Sequence, residues 1–308
     1  MIQLRKSSLL YVAGSGHSGS TLLDILLGNH TSISGVGEVH LVSINPEIRL
    51  CACGVPIIQC DYWDSIHKVY KNKPSNDQNN NWERYPVTKV NSRIRRFFPS
   101  LLEFFLLFGS TRLIKTAASL SPNTHEHLKM AENSWSLYDA IATVDDTQVV
   151  VDSSKNAVRM KLLYMTKKNQ FKVVHLVRDG RAVAASAYRR DGIPLDQGTK
   201  RWKRAVLNVM LMMKSIPSQN KRRLRYEDLC DNPERELIDL CQFLDLPFEN
   251  QMLDFSIRIV HNIPGNPMLF KRTDKIVKDE RWKSESSQCD LDIFDKIAGR
   301  LNHNLGYS

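Results

Sequence analysis

No apolar run in this 308-residue chain is long enough to cross a bilayer. The longest, LLEFFLLF from Leu101 to Phe108, falls far short of the roughly 20 residues a helical span needs. The chain also passes from MIQLRKSS almost directly into LLYVAG, a stretch too short for a signal core, so no targeting segment is expected and the predicted location is cytoplasmic. Acidic residues are in deficit. Asp and Glu number 33 against 43 Lys and Arg, a net charge of +10 that favours anionic partners such as nucleic acid, anionic lipid, acidic polysaccharide or a nucleotide. A basic patch interleaved with aromatics is missing too, as is any nucleic-acid motif, so no nucleic-acid partner is expected. Cysteine is sparse at six residues, but three of them cluster in CACGVPIIQC as Cys51, Cys53 and Cys60. A metal site there would need His40 or His67 as fourth ligand. C-x-C followed by C is not a standard zinc spacing, and the thiols read as free side chains packed in a loop. No metal ligand is assigned.

What is present is a repeated unit. LLYVAGSGHSGSTLLDILL, QVVVDSSKNAVRMKLLYM and FKVVHLVRDGRAVAASAYRR each run from a short apolar stretch through a polar turn into a helix-forming segment. Continuous apolar strands followed by helices predict a parallel sheet covered on both faces, with ligands at the carboxyl ends of the strands. A fourth unit, KRRLRYEDLCDNPERELIDLCQFLDL, offers Asp231 or Asn232 as a helix cap before Pro233, then Leu237, Leu240, Cys241 and Leu244 at helical spacing. Between the first two units, KNKPSNDQNNNWERY reads as a flexible loop. The basic and then apolar stretch around 93–120 reads as packed helices, or as a lid touching an acceptor or a membrane surface. The expected organisation is one domain over 1–308 with a variable insertion or cap at about 61–145. Trp63, Trp202 and Trp282 are expected in the core.

The first turn has the frame of a phosphate-binding loop, from Gly14 through Gly19 to Thr21, but Ser20 stands where that frame demands lysine. Backbone N–H groups at Gly16, His17, Ser18 and Gly19, with the hydroxyls of Ser20 and Thr21, can still hold an anion at a helix start. Without the lysine, and with no evident acidic metal ligand after a second strand, a triphosphate fits poorly. The third unit adds Arg178 at a strand end, with Ser186 and Arg190 four apart on the following helix, a set able to enclose a phosphate dianion.

Together, GSGHSGSTLL and VRDGRAVAAS resemble the sulfotransferases that use 3′-phosphoadenosine 5′-phosphosulfate (PAPS), in their bacterial, carbohydrate and tyrosylprotein branch. The loop corresponds to the family's 5′-phosphosulfate site. Arg178, with Ser186 eight residues on, corresponds to its 3′-phosphate site. SGVGEVH resembles the segment carrying the family's catalytic glutamate, VVVDSSKN the strand end carrying its active-site lysine, and RYEDLCDNPERELIDLCQFLDL its tyrosine-bearing strand and helix. The resemblance covers most of the chain outside roughly 61–145. It implies a P-loop-like three-layer α/β sandwich with a central parallel sheet and a mainly helical insertion. It also implies PAPS as cofactor with no metal required, and transfer to a hydroxyl of a carbohydrate, lipid, glycolipid or phenol.

On that resemblance Glu38 is the candidate base, with His40 as competitor. Lys155 stabilises the leaving oxygen, while Ser153 or Ser154 caps the next helix. His17, where many members carry Arg or Lys, is a contact at the bridging oxygen or a phosphate. Tyr226 meets the nucleotide, and Lys271 and Arg272 lie in a late loop that closes over it. The alternatives are a P-loop-type small-molecule kinase, which Mg²⁺ dependence would reveal, or a non-catalytic protein binding anions or a membrane surface.

Overall fold

The computed structural model describes residues 5–71, 122–254, 261–263 and 276–308. Lys271, Arg272, the 93–120 stretch and most of the asparagine-rich loop therefore lie outside the described residues. No helix among the described residues is long and apolar enough to cross a membrane.

Five strands, β1 (Ser8–Gly14), β2 (Ile33–Gly35), β3 (Val149–Lys155), β4 (Phe171–Val177) and β5 (Lys221–Arg225), pair in parallel in the order β2-β3-β1-β4-β5. The α/β architecture implied by the repeated unit is thus the one observed. Because successive strand residues face opposite ways, each apolar strand feeds two cores. Leu9, Tyr11, Val150, Phe171 and Val173 enter one cluster, while Leu10, Val12, Val151, Val174 and Leu176 enter the other.

Helix α1 (Ser20–Gly28) follows β1 and covers the second face together with the final helix of the fourth unit, where Leu237, Leu240, Cys241 and Leu244 are all buried. The first face is covered by α2 (Asp61–Lys71), α3 (Pro122–Asp145) and α4 (Ala157–Thr166) through Trp63, Ile66, Trp135, Tyr138 and Leu163. Two further helices, α5 (Gly180–Asp191) and α6 (Leu195–Met213), pack against the C-terminal segment around Val183, Trp202, Phe294 and Tyr307. Trp63 and Trp202 are buried as expected, but Trp282 is not; the Arg181 guanidinium lies 4.5 Å above its ring. Strand β2 has only three residues and left no alternation to read in the sequence.

A buried ion pair joins the sheet to its helical cover. Arg159 Nε donates to Asp152 Oδ2 at 3.1 Å, with side chains 2% and 0% exposed. Tyr138 donates to the same Oδ2 at 2.5 Å, and Arg159 also reaches the Tyr138 hydroxyl and Ser134. Ser154 bonds to Asp152 through both its amide and its hydroxyl, so it does not cap α4 as expected. Asn156 does that, accepting from the Arg159 amide at 3.0 Å. Removing one member of such a pair leaves a buried charge unmatched. Arg159→Ala should therefore lower the unfolding free energy by about 3–5 kcal/mol in urea denaturation. Arg159→Met, which keeps bulk but not charge, should do little better while Asp152 remains.

Candidate active site

The carboxyl ends of all five strands open on one edge, and each delivers a residue singled out in the sequence. Along the edge these are Glu38 after β2, Lys155 ending β3, the glycine-rich loop after β1, Arg178 after β4 and Tyr226 after β5.

The loop turns through two left-handed residues, His17 at φ 61° and Gly19 at φ 89°. Gly19 is required twice over, since a Cβ there would also lie 2.3 Å from Tyr226 Cδ2. The Ser18 hydroxyl is spent inside the loop, donating to the Ser15 carbonyl at 2.7 Å. Gly16 is exposed, and a Cβ on it would meet nothing within 4 Å, which leaves the loop's outer face open. Ser20 begins α1 and Thr21 follows it, half-buried.

The lysine absent from position 20 is supplied from the neighbouring strand. Lys155 Nζ donates to Ser20 Oγ at 3.2 Å, to Glu38 Oε1 at 2.6 Å and to the Ser153 carbonyl at 3.3 Å. Its backbone is left-handed at φ 63°, a conformation costing a non-glycine residue about 1–3 kcal/mol and typical of functional sites. Lys155 and Glu38 are each 16% exposed, so their pair is only partly screened by solvent.

His40 stands beside them, its Nε2 3.9 Å from Glu38 Oε2 and its Nδ1 buried without a hydrogen-bond partner among the described residues. Burial, and secondarily the Arg159 charge, outweigh the pull of Glu38 and bring its pKa down to about 4, which leaves a neutral imidazole at neutral pH.

At the other end, Arg178 NH1 donates to the His17 carbonyl at 3.0 Å and NH2 to the Asp279 carbonyl at 2.7 Å. Its guanidinium sits 4.4 Å over the Tyr226 ring. The Tyr226 hydroxyl in turn accepts from the Asp279 amide at 3.1 Å. Tyr226 thus packs under the loop and braces Arg178. Arg178 Nε is buried with no partner among the described residues.

The His17 ring bonds to α5 and not toward Lys155. Nε2 lies 3.0 Å from Asp191 Oδ2, and Nδ1 lies 3.3 Å from Ser186 Oγ and 3.4 Å from Arg190 NH1. A guanidinium can only donate, so Nδ1 accepts and Nε2 carries the proton. Burial, and after it Arg190, hold the His17 pKa below its usual value, in keeping with that neutral tautomer.

A cleft of about 960 Å³ opens over the loop, Glu38, His40 and Lys155, and its far wall is α6 with Lys200, Arg201, Arg204 and Asn208. The sequence reading missed this cationic wall. The signal was present as spacing, because Lys200 and Arg204 lie four apart on one helix face, with Arg201 beside them. It also missed Asp152, a carboxylate within β3. Its oxygens are taken up by Ser154, Tyr138 and Arg159, so it faces the core and not the loop.

The sulfotransferase family model matches residues 66–250, more than half of the chain. The chain belongs to the sulfotransferase family. The matched stretch contains Lys155, Arg178, Ser186 and Tyr226 but neither the glycine-rich loop nor Glu38, which join the site through the sheet. Among solved structures, the chain is similar to the sulfotransferase domain of the olefin synthase from Synechococcus PCC 7002, with a TM-score of 0.59 at 17% identity over 100% of this chain and 98% of that one. It is similar also to the sulfotransferase domain of the curacin biosynthetic pathway, with a TM-score of 0.57 at 18% identity over 99% of each. At such identity the likeness is one of fold. No curated protein matches the chain.

The fit between loop and tyrosine gives a direct test. Gly19→Ala should destabilise the protein by at least about 1–2 kcal/mol in denaturant titration, from the left-handed backbone alone. Adding Tyr226→Ala should relieve the steric part and leave the strain, so the double variant should fall short of additivity.

Proposed function

We propose that this sulfotransferase uses 3′-phosphoadenosine 5′-phosphosulfate and moves its sulfuryl group to an acceptor hydroxyl. The observation that carries the reading is Lys155 Nζ held between Ser20 Oγ and Glu38 Oε1, one cation serving both the anion-binding loop and a carboxylate. The residues fit such a nucleotide. The loop's outer face is open at Gly16, and Arg178 Nε is a buried donor without an acceptor among the described residues, close to Ser186 and Arg190 through His17. When bound, the nucleotide supplies a sulfuryl group already activated by a phosphate leaving group.

The chain's own residues divide the remaining work. Loop N–H groups and the Ser20 and Thr21 hydroxyls orient the 5′ end, while Arg178, Ser186 and Arg190 hold the 3′-phosphate. Glu38 accepts the proton of the attacking hydroxyl. Lys155 keeps positive charge where the leaving oxygen gains negative charge. Kinase chemistry is disfavoured by the same geometry, since Asp152 is committed to Arg159 and Tyr138 and not presented to a loop-bound Mg²⁺.

The acceptor is a carbohydrate, lipid, glycolipid or phenolic hydroxyl, and the α6 wall favours one that already bears negative charge. A screen with paired neutral and anionic hydroxyl acceptors tests this. Arg204→Glu should raise KM for the anionic member selectively; an equal effect on both would remove the charge argument.

For the cofactor, calorimetry should give far tighter binding of adenosine 3′,5′-bisphosphate than of 5′-AMP, and Arg178→Ala should cost the bisphosphate about 2–5 kcal/mol. Equal affinities would remove the 3′-phosphate assignment. Glu38→Gln should leave bisphosphate binding nearly intact while lowering kcat by about two to four orders of magnitude. Lys155→Ala should also lower kcat, with a defect that shrinks for a better leaving group. Near-normal turnover in Glu38→Gln would pass the base role to His40. Activity that depended on added Mg²⁺ would favour the kinase reading.

A further inference from the structure

The three clustered cysteines acquire a fourth neighbour that their spacing did not reveal. It is His261, and neither His40 nor His67. One ligand atom from each of Cys51, Cys53, Cys60 and His261 lies within 4.8 Å of all the others. Cys53 Sγ is 3.6 Å from Cys60 Sγ, which is 3.7 Å from Cys51 Sγ. His261 Nδ1 is 3.3 Å from Cys60 Sγ and 3.7 Å from Cys51 Sγ. A tetrahedral ion with metal–sulfur bonds of about 2.3 Å and metal–nitrogen bonds of about 2.0–2.1 Å requires edges of roughly 3.5–3.8 Å between its ligand atoms. Three of these four distances fall in that range, and the Cys60 Sγ–His261 Nδ1 distance of 3.3 Å lies just under it. They are also well beyond the roughly 2.05 Å of a disulfide, and any disulfide here would leave a third thiol and the imidazole unused.

The surroundings are built around these four atoms. Gly54, at φ 96°, closes the turn that returns the chain from Cys51 toward Cys60, with the Gly54 amide on the Cys51 carbonyl at 2.9 Å and the Cys51 amide on the Val55 carbonyl at 2.8 Å. Cys60 immediately precedes α2, and the amides of Trp63 and Tyr62 hydrogen-bond its sulfur. The His261 ring stacks on Tyr62 at 4.7 Å between centroids, and its carbonyl accepts from Trp63 Nε1 at 2.9 Å, so its orientation is fixed by contacts outside the cluster.

We propose that Cys51, Cys53, Cys60 and His261 form a structural Zn²⁺ site. Three thiolates and one imidazole in a closed tetrahedral set suit zinc, with every position filled by protein and none open for catalysis. The site is separate from the sulfuryl-transfer chemistry and does not rest on it, yet it bears on the active site through the backbone. His261 begins a short segment in which Asn262 accepts from the Ala52 amide at 3.0 Å and donates to Asp24. Ile263 then accepts from the Glu38 amide and donates to the Val36 carbonyl, both at 3.0 Å. Zinc would tie a segment more than 200 residues distant in sequence to the turn that carries Glu38.

The test uses the full chain purified under reducing conditions without chelator. Elemental analysis by mass spectrometry should find about one zinc per chain, and Co²⁺ loaded in its place should give the visible bands and thiolate charge-transfer absorption of a tetrahedral sulfur-rich site. Cys60→Ser and His261→Ala should each lose stoichiometric metal, while Cys289→Ser, at an exposed cysteine, should keep it. Stripping the metal should abolish hydrogen-exchange protection of the Glu38 and Ile263 amides and spare those of β4. Should Cys60→Ser fail to fold, the metal content and cobalt spectrum of the unmodified chain still decide the matter. A folded chain with neither bound zinc nor a cobalt spectrum overturns the proposal, as does a disulfide among the three cysteines found by peptide mapping.

Discussion

The ammonium of Lys155 joins three pieces of chain that share no sequence neighbourhood. It reaches Ser20 at the start of α1, Glu38 after β2 and the Ser153 carbonyl of its own strand. For one cation to do this, β3 must lie between β2 and β1, and the sheet order places it there. The pairing of β1 with β3 shifts register between Tyr11 and Ala13, just where Lys155 comes opposite Ala13 in its left-handed conformation. A lysine within the loop, as in nucleotide kinases, would serve the loop alone. Delivered from the adjacent strand, it also meets a carboxylate.

Glu38 needs more support than its local sequence provides. It follows Gly37 at φ 74°, where a Cβ would lie 2.4 Å from the Ile263 carbonyl oxygen, so glycine is what permits the two backbones to touch. Ile263 bonds to both Val36 and Glu38, and the residues just before it are held by Asp24, Ala52 and the cysteine cluster. At the opposite end of the sheet edge, residues 277–279 close over Tyr226 and Arg178. The carboxylate of Asp279 accepts hydrogen bonds from Arg281 and lies close to Arg178 and Arg189. The Arg281 hydrogen bonds first, and the nearby Arg178 charge after them, hold that carboxyl well below the usual range. Two segments from the last third of the chain thus brace the two ends of one edge.

Much of this was legible beforehand. Alternation of apolar strands and helices is a local property, so β1, β3, β4 and the buried face of the final helix of the fourth unit could be read directly. The loop glycines and the Arg178–Ser186 spacing were equally local. Residues whose meaning lay across the sheet were harder. Ser154 read as a helix cap and proved to be a ligand of Asp152. His17 read as a contact at the bridging oxygen or a phosphate, and its ring bonds to Asp191. The cationic face of α6 carried its periodicity in plain view, but only the cleft gave that face a direction.

By itself, then, the sequence determined the strand–turn–helix units, the glycine-rich frame of the first turn and the family to which they belong, because each depends on a few residues close along the chain. Tertiary structure alone decided which cation completes the loop, which histidine joins the three cysteines and which side of α6 faces the site. Those partners are 135 and 201 positions apart in the cases of Lys155 with Ser20 and His261 with Cys60. Only burial of the sheet's two faces, which sets strand order and brings distant turns to one edge, can put them within hydrogen-bond reach.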